Sequence, residues 1–390
     1  MSGRARPESP GDLPSTLIVT NDFPPRKGGV ERFVFDLADH LPADRVRVLA
    51  PSHHGDAAFD AQLAFPVRRI RRPRLWPTAE LRTALDDEIR NRRPDVVLFG
   101  HALPQVGLTS RQVAAAGIPF AVLTHGVEYW FAKIPGLRSL LRRACRGAGL
   151  VFTISEHVGA PIRRALGHGA PVAMLSPGVD TERFRPDVDG SAWRSRLELG
   201  DRPTIVCVSR MVPRKGQDVL VRILARVRES VPNAALVLVG GGPYRSKVEA
   251  MARARADGDA IRFPGEVADD ELPGLYAVAD VFAMPCRSRW AGLEVEGFGI
   301  VFMEAAASGK PSVAGRSGGA AEAVIDGETG LVVDGSDDGA VADALVSLLR
   351  DPALAGAMGR RGRERAVAEF DWRAIADRLG EHMRGVATGR

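Results

Sequence analysis

The sequence of 390 residues predicts an α/β protein of two Rossmann-like domains facing each other across a cleft. Three observations predict it. Short β-branched runs alternate with longer amphipathic segments from one end to the other, the pattern of parallel βα units. The chain is too long for a single hydrophobic core. The rhythm also breaks once, between Ser176 and Gly200, where Pro177, Gly178, Pro186, Gly190 and several acids read as a connector. The expected organisation is a polar, disordered leader over 1–14, a first domain over 15–180, a linker over 181–200 and a second domain over 201–370. The last segment, 371–390, is expected as a helix packing back on the first domain.

Thr16-Leu-Ile-Val-Thr20 is a strand of the buried type. Val30, Phe33, Val34, Leu37, Ala38 and Leu41 then recur at helical spacing. Further strands are expected at Val46–Ala50, Val96–Phe99, Phe120–Thr124 and Val151–Ile154. Helices are expected near Thr78–Arg92, Leu108–Ala116, Leu137–Arg146 and His157–Ala165. Beyond the break come strands Thr204–Ser209, Ala235–Val239, Ile261–Phe263, Val281–Met284, Ser312–Ala314 and Leu331–Val333. Helices Asp218–Ser230, Tyr244–Arg255, Glu271–Ala279, Phe302–Ala307 and Ala320–Ile325 separate them, and Gly339–Arg350, Ala353–Glu369 and Asp371–Arg384 follow. In open sheets of this kind a ligand binds beyond the carboxyl ends of the strands.

With 53 basic against 48 acidic residues the net charge is +5, and no nucleic-acid recognition motif is present, so nucleic acid is not an expected partner. No run approaches the roughly 18 apolar residues of a membrane span, and the start lacks the apolar core of a signal peptide. Cys145, Cys207 and Cys286 lack metal or disulfide spacing and read as buried small hydrophobes of a cytoplasmic protein. Basic residues cluster at 67–76 and at 129–146, where Trp76, Trp130 and Phe131 accompany the arginines. Such stretches suit an anionic membrane surface, or equally a solvated face.

Three clusters carry chemistry. The loop from Thr20 to Gly29 joins a strand to a helix, and Gly28 and Gly29 would let backbone approach an anion at the helix start, or would simply form a turn. Ser209-Arg210-Met211-Val212-Pro213-Arg214-Lys215-Gly216 follows the first strand of the second half. Fixed cations there would stabilise a departing diphosphate more than the bound ground state, or would simply be three solvated loop charges. Glu294-Val-Glu296-Gly-Phe-Gly-Ile-Val-Phe-Met-Glu304 sets two carboxylates, Glu296 and Glu304, with seven residues between them. One in a glycine loop can grip sugar hydroxyls; the other, in the first turn of a helix and among apolar residues, can accept the two hydroxyls of a ribose. Neither the first loop nor Gly240-Gly241-Gly242 matches the dinucleotide fingerprint G-x-G-x-x-G, which disfavours a nicotinamide enzyme.

Glu-x7-Glu preceded by Arg-x4-Lys resembles the retaining family 4 glycosyltransferases of the GT-B fold, over roughly residues 16 to 375. Asn21-Asp-Phe-Pro-Pro-Arg-x-Gly-Gly29, Thr124-His-Gly126, Pro177-Gly-Val-Asp180, Ser209 to Asp218, Glu294 to Val301 and Ser317-Gly-Gly-Ala-x-Glu322 are most similar to the actinobacterial phosphatidylinositol mannoside mannosyltransferases. The resemblance implies that Arg210 and Lys215 hold the diphosphate and that Glu304 takes the ribose. Glu296, with Gly297, Phe298, Gly299, Ile300 and Val301 after it, would hold the donor sugar. Gly28 and Gly29 would lie against the diphosphate, and the His125 carbonyl would face the anomeric carbon. The catalytic set is thus His125, Glu296, Arg210 and Lys215. Val267, Asp269 and Glu271 are candidates to read the base, and Asp22, Lys27, Glu128 and Tyr129 are placed on the acceptor side.

The resemblance further implies GDP-mannose as donor, a glycolipid acceptor such as a phosphatidylinositol mannoside, and retention of anomeric configuration; the basic and aromatic stretches would set such a cytoplasmic protein on the inner face of the cell membrane. No cofactor is expected; Arg210 and Lys215 would neutralise the leaving group without a metal, and Asp187-Val-Asp189 and Asp257-Gly-Asp259 read as turns. Mannoside members commonly follow Thr-His-Gly with His-Glu, whereas this chain has Val127-Glu128. Two other readings compete. One keeps the chemistry but takes a UDP-sugar and a soluble natural-product or oligosaccharide acceptor. The other is a non-catalytic nucleotide-sugar-binding subunit, against which the intact Arg210, Lys215, Glu296 and Glu304 argue.

Overall fold

The computed structural model describes residues 13–389, apart from 27, 73 and 77 and the side chains of 105 and 108. It divides into two compact units, residues 1–177 with 372–390, and residues 178–371. The expected leader lies outside the described residues up to residue 12. Leu13, the first described position, is buried in the core of the first unit.

The first unit carries seven parallel strands: β1 (Thr16–Val19), β2 (Val46–Pro51), β3 (Val67–Ile70), β4 (Val96–Phe99), β5 (Phe120–Thr124), β6 (Leu150–Thr153) and β7 (Val172–Met174). They lie in the order β3-β2-β1-β4-β5-β6-β7. β1, β4 and β5 are buried at every position, which is why they read as continuous apolar runs. The order reverses between β1 and β4, so loops leave the carboxyl ends of these neighbours in opposite directions and open a crevice there. The helix Trp372–Thr388 belongs to this unit. Its Trp372, Ile375, Leu379, Met383 and Val386 recur every three or four residues, and that face sits in one core with Ile18, Phe33, Val34 and Leu37. Trp372 meets the Phe33 ring at 6.1 Å and stacks on His40 at 5.6 Å.

β3 and β7 were not anticipated, and both are sheet edges. β3 reads Val-Arg-Arg-Ile, too basic for a buried strand. Its arginines are held by acids: Arg68 pairs with Asp87 and Glu88, and Arg69 grips Asp60 and the Pro24 and Pro51 carbonyls. Half of the basic stretch at 67–72 is therefore structural. β7 is three residues long and only half-buried, which leaves little apolar signal.

The second unit has six parallel strands: β8 (Thr204–Val208), β9 (Ala235–Val239), β10 (Ile261–Gly265), β11 (Val281–Met284), β12 (Ser312–Gly315) and β13 (Gly330–Val333). Their order is β10-β9-β8-β11-β12-β13, with the reversal between β8 and β11. Residues 181–200, expected as a linker, are built into this unit. Phe184, Trp193, Leu197 and Leu199 enter its core, and the helix Ser191–Arg196 forms around Trp193. Composition suggested a free connector because the anchoring residues are few and widely spaced. Asp337 and Asp351 cap the two long helices Asp338–Arg350 and Pro352–Glu369 by accepting from Ala340 and Leu354 N–H.

Candidate active site

In the second unit, the loop after β8 turns through Pro213–Lys215 and reaches Gly216 at φ +81°. A Cβ at Gly216 would lie 2.2 Å from the Pro285 carbonyl oxygen, so this turn requires glycine. The turn drives Lys215 inward. Its Nζ lies 2.6 Å from Glu296 Oε2, and Arg214 Nη1 donates to the same oxygen at 2.8 Å. Burial alone would raise the Glu296 carboxyl, but the charges of Lys215 and Arg214 outweigh it and hold the pKa below its ordinary value. Arg214 also approaches Glu294 at 3.7 Å, and Arg289 pairs with Glu294 at 3.1 Å. Arg210 is exposed. The structure thus joins Lys215 to Glu296, leaves Arg210 exposed, and adds Arg214, to which the resemblance gave no role.

Close backbone contacts fix this loop. Met211 N–H donates to the Gly241 carbonyl at 2.7 Å, and Cβ atoms at Gly240 or Gly242 would meet the Ser209 or Met211 carbonyl at 2.3 and 2.5 Å. The glycine run is therefore a seat for the Ser209–Met211 backbone. Glu296 is braced likewise: its N–H donates to Ser317 Oγ at 3.3 Å, and its carbonyl accepts from Gly319 N–H at 2.9 Å. A Cβ at Gly318 would lie 1.8 Å from that carbonyl. The Ser317-Gly-Gly motif is packed where it is because only bare backbone fits beneath Glu296.

Gly299, at φ +89°, starts the helix Ile300–Ala307, so Glu304 sits one turn further along than expected. Glu304 Oε2 accepts from the buried Tyr276 hydroxyl at 2.6 Å. The Phe298 side chain packs on Phe370 in the core; Gly297 and Ile300 are half-buried. Val301 and Val267 pack partly on the core. Asp269 and Glu271 are drawn off to Arg183 and Arg196, at 2.8 and 3.4 Å. The three cysteines are buried, and burial pushes each thiol up to about 12, which leaves them unreactive. Asp257 starts a short 3-10 turn over Gly258–Ala260, and Asp189 accepts from Ser191 in an exposed turn. Among the described residues no group of three or more His, Cys, Asp or Glu is arranged to hold a metal ion.

In the first unit, four ionisable groups meet at the ends of β1, β4 and β5. Gly100, after β4, approaches β1 so closely that a Cβ would lie 2.4 Å from Thr20 Oγ1. His101 follows; its Nε2 contacts Asp22, and its Nδ1 lies 3.6 Å from Glu128 Oε1. Glu128 also accepts from the Ala102 N–H at 3.1 Å and the His125 N–H at 2.9 Å, closing the start of the helix Gly126–Lys133. His125 Nε2 lies 3.1 Å from the Gly100 carbonyl, and its ring sits edge-on to His101 at 4.8 Å and to Phe33 at 5.8 Å. Burial would discharge His101, yet hydrogen bonds to Asp22 and Glu128 and their charges raise it to about 10. Burial, then the charge of His101, lowers His125 to about 4. Burial would raise Glu128, but His101 brings it to about 2. At neutral pH the cluster is a His101 imidazolium between two carboxylates, beside a neutral His125 that gives its Nε2 proton to Gly100.

Asp22 and Glu128 are therefore joined, through a histidine that no motif indicated. Tyr129 is turned inward instead: it is buried, stacks on His157 at 5.4 Å and receives a hydrogen bond from Lys133 at 2.6 Å. Helical geometry explains the inversion, since Val127 and Trp130 take the outer face. Gly28 and Gly29 are exposed at the start of the helix Gly29–Asp39, with the Glu31 carboxylate folded beneath Gly28. Lys27 lies outside the described residues.

Glycosyltransferase Family 4 matches residues 27–183, and Glycosyl transferases group 1 matches 191–365. A GDP-mannose-dependent alpha-(1-6)-phosphatidylinositol monomannoside mannosyltransferase of Mycobacterium tuberculosis is 44% identical over 378 residues, 95% of this chain and 98% of that one. A GDP-mannose-dependent monoacylated alpha-(1-6)-phosphatidylinositol monomannoside mannosyltransferase of Corynebacterium glutamicum is 37% identical, over 93% of this chain and 96% of its own. The crystal structure of Anabaena HepE with UDP shares the fold at a TM-score of 0.80 and 22% identity, covering 94% of this chain and 98% of that one. The chain belongs to the family 4 glycosyltransferases, hexosyltransferases of the GT-B fold, within the group that holds the GDP-mannose-dependent phosphatidylinositol monomannoside mannosyltransferases.

Proposed function

We propose that this chain moves mannose from GDP-mannose to a hydroxyl of a phosphatidylinositol monomannoside, with retention of anomeric configuration. The observation that carries the reading is the contact of Lys215 and Arg214 with one oxygen of the buried Glu296. Cations for a diphosphate and a carboxylate for sugar hydroxyls lie within one hydrogen-bond length. Lys215, with Arg210, neutralises the charge that grows on the diphosphate as the glycosidic bond breaks. Glu296 and the backbone of Gly297 to Val301 hold the mannose, and Glu304 takes the ribose. Two cations supply this charge stabilisation, and no metal is invoked.

His125 serves through its position. Its neutral ring gives its proton to Gly100, so the imidazole is not a base; its backbone carbonyl steadies the anomeric carbon as positive charge develops. The leaving phosphate accepts the proton of the attacking hydroxyl, which enters on the face the diphosphate leaves. Asp22, held by His101 and Arg26, is the acceptor-side carboxylate.

The same reading puts the chain on an anionic membrane. Among the described residues no helix is long and apolar enough to cross one. Val127, Trp130, Ile134 and Leu140 are exposed on the helices Gly126–Lys133 and Pro135–Ala144 or between them, and Arg138, Arg142, Arg143 and Arg146 are exposed with them. Apolar side chains among arginines suit the headgroup layer.

The test is incubation with GDP-mannose and phosphatidylinositol monomannoside in anionic vesicles. The expected product is heavier by one hexose, with the donor's anomeric configuration by NMR. Hexose transfer from a UDP-sugar alone, or GDP-mannose binding without turnover or hydrolysis, would overturn the reading.

A further inference from the structure

We propose that Tyr276 is a positioning residue for the donor's ribose, fixing one oxygen of Glu304 so that the site accepts ribonucleotides and rejects their deoxy analogues. The inference rests on the reading that Glu304 takes the ribose hydroxyls. A carboxylate binds a diol well only when it is ionised and its oxygens are held in place.

Tyr276 supplies both conditions. Its hydroxyl lies 2.6 Å from Glu304 Oε2, the length of a hydrogen bond to a charged acceptor. Burial, then the neighbouring Glu304 charge, raises the phenol well above its ordinary value, so it remains the donor and Glu304 the acceptor. The ring is locked as well. Phe184 meets it edge-on at 5.5 Å and Phe282 lies against it at 5.7 Å, both in the core of the second unit. Tyr276 stands on the helix Leu272–Ala277 and Glu304 on the helix Ile300–Ala307, so the bond ties the carboxylate to a second rigid element. A buried tyrosine hydroxyl needs some partner, and a backbone carbonyl would satisfy it. Here the partner is instead the carboxylate of the Glu-x7-Glu pair. A site built to hydrogen-bond a hydroxyl discriminates strongly against the ligand that lacks it.

The experiment compares wild type, Tyr276→Phe, Phe184→Leu and Glu304→Ala. Each is titrated calorimetrically with GDP and with 2′,3′-dideoxy-GDP, and assayed with GDP-mannose. Tyr276→Phe keeps the ring packing and removes only the hydroxyl. It is expected to weaken GDP by roughly five- to twentyfold, to raise the KM for GDP-mannose by a similar factor, and to leave kcat within about threefold. Dideoxy-GDP should bind wild type and Tyr276→Phe equally.

Phe184→Leu keeps the hydroxyl but loosens the ring, and should show a smaller loss confined to GDP. It serves as the second variant should Tyr276→Phe melt too low to assay. GDP affinity within twofold of wild type in both variants, or equal losses for GDP and dideoxy-GDP, would overturn the proposal. If Glu304→Ala also binds GDP normally, the ribose reading itself fails; if Glu304→Ala weakens GDP and Tyr276→Phe does not, only the role of Tyr276 fails.

Discussion

Both units keep ionised groups at the carboxyl ends of parallel strands, beside the point where strand order reverses, yet they hold them differently. In the second unit two cations adjacent in sequence, Arg214 and Lys215, converge on one oxygen of Glu296. In the first, one imidazolium, His101, stands between Asp22 and Glu128, each delivered by a different strand. On the proposed function the second arrangement is a ligand grip, in which a diphosphate would draw on cations that already face the carboxylate assigned to the sugar. The first resembles a structural keystone: remove its cation and buried Glu128 is left with backbone N–H groups alone, and Asp22 with Arg26. On this proposal, charge clusters at equivalent places in similar folds serve catalysis in one case and positioning in the other.

That difference can be broken by substitution. Lys215→Ala is expected to lower kcat/KM for mannosyl transfer by about a hundredfold or more, with a smaller loss of stability than removal of His101, because Arg214 still neutralises Glu296. Activity close to wild type would move the second cluster into the structural class. His101→Asn should show the reverse emphasis. It is expected to cost about 3 kcal/mol in urea unfolding at pH 6, because removing one partner strands the buried opposite charges. The pH dependence carries the sign. His101 rises from 6.5 to about 10 in the folded chain, so its contribution is complete below pH 6.5 and fades as pH climbs towards 10. The stability gap between wild type and His101→Asn should therefore narrow from pH 6.5 to 10, and a constant gap would exclude this account of the cluster.

Arg214→Ala sharpens the comparison within the second unit. Lys215 still neutralises Glu296, so kcat/KM should fall by only about tenfold. The smallest effect concerns the exposed face. Trp130→Ser with Leu140→Ser should leave stability within about 0.5 kcal/mol, while co-sedimentation with anionic vesicles falls. Undiminished sedimentation would place membrane contact elsewhere.

The contrast also explains what the sequence could disclose. Lys215, Glu296 and Glu304 lie in contiguous motifs that the resemblance to the family 4 glycosyltransferases singles out. His101 and Tyr276 have no such neighbours: His101 reaches Asp22 only because β4 pairs with β1, and Tyr276 reaches Glu304 only through the packing of two helices. Central strands were legible because burial on both faces leaves an unbroken apolar run. The edge strand β3 was not, since Arg68 and Arg69 find acids on neighbouring elements. Residues 181–200 looked like a connector by composition, and Phe184 and Trp193 show how two large side chains fasten such a stretch to a core. Tyr129 went astray because a position beside His125 says nothing about which side of the helix faces outward.

The central claim is that Lys215 grips the donor's diphosphate from its place beside Glu296, and calorimetric titration of GDP and GDP-mannose into wild type and Lys215→Ala tests it most directly. The account predicts that Lys215→Ala weakens both ligands by at least about tenfold and by the same factor, because the lost contact is to the part they share. Unchanged GDP affinity in a folded Lys215→Ala chain would contradict it.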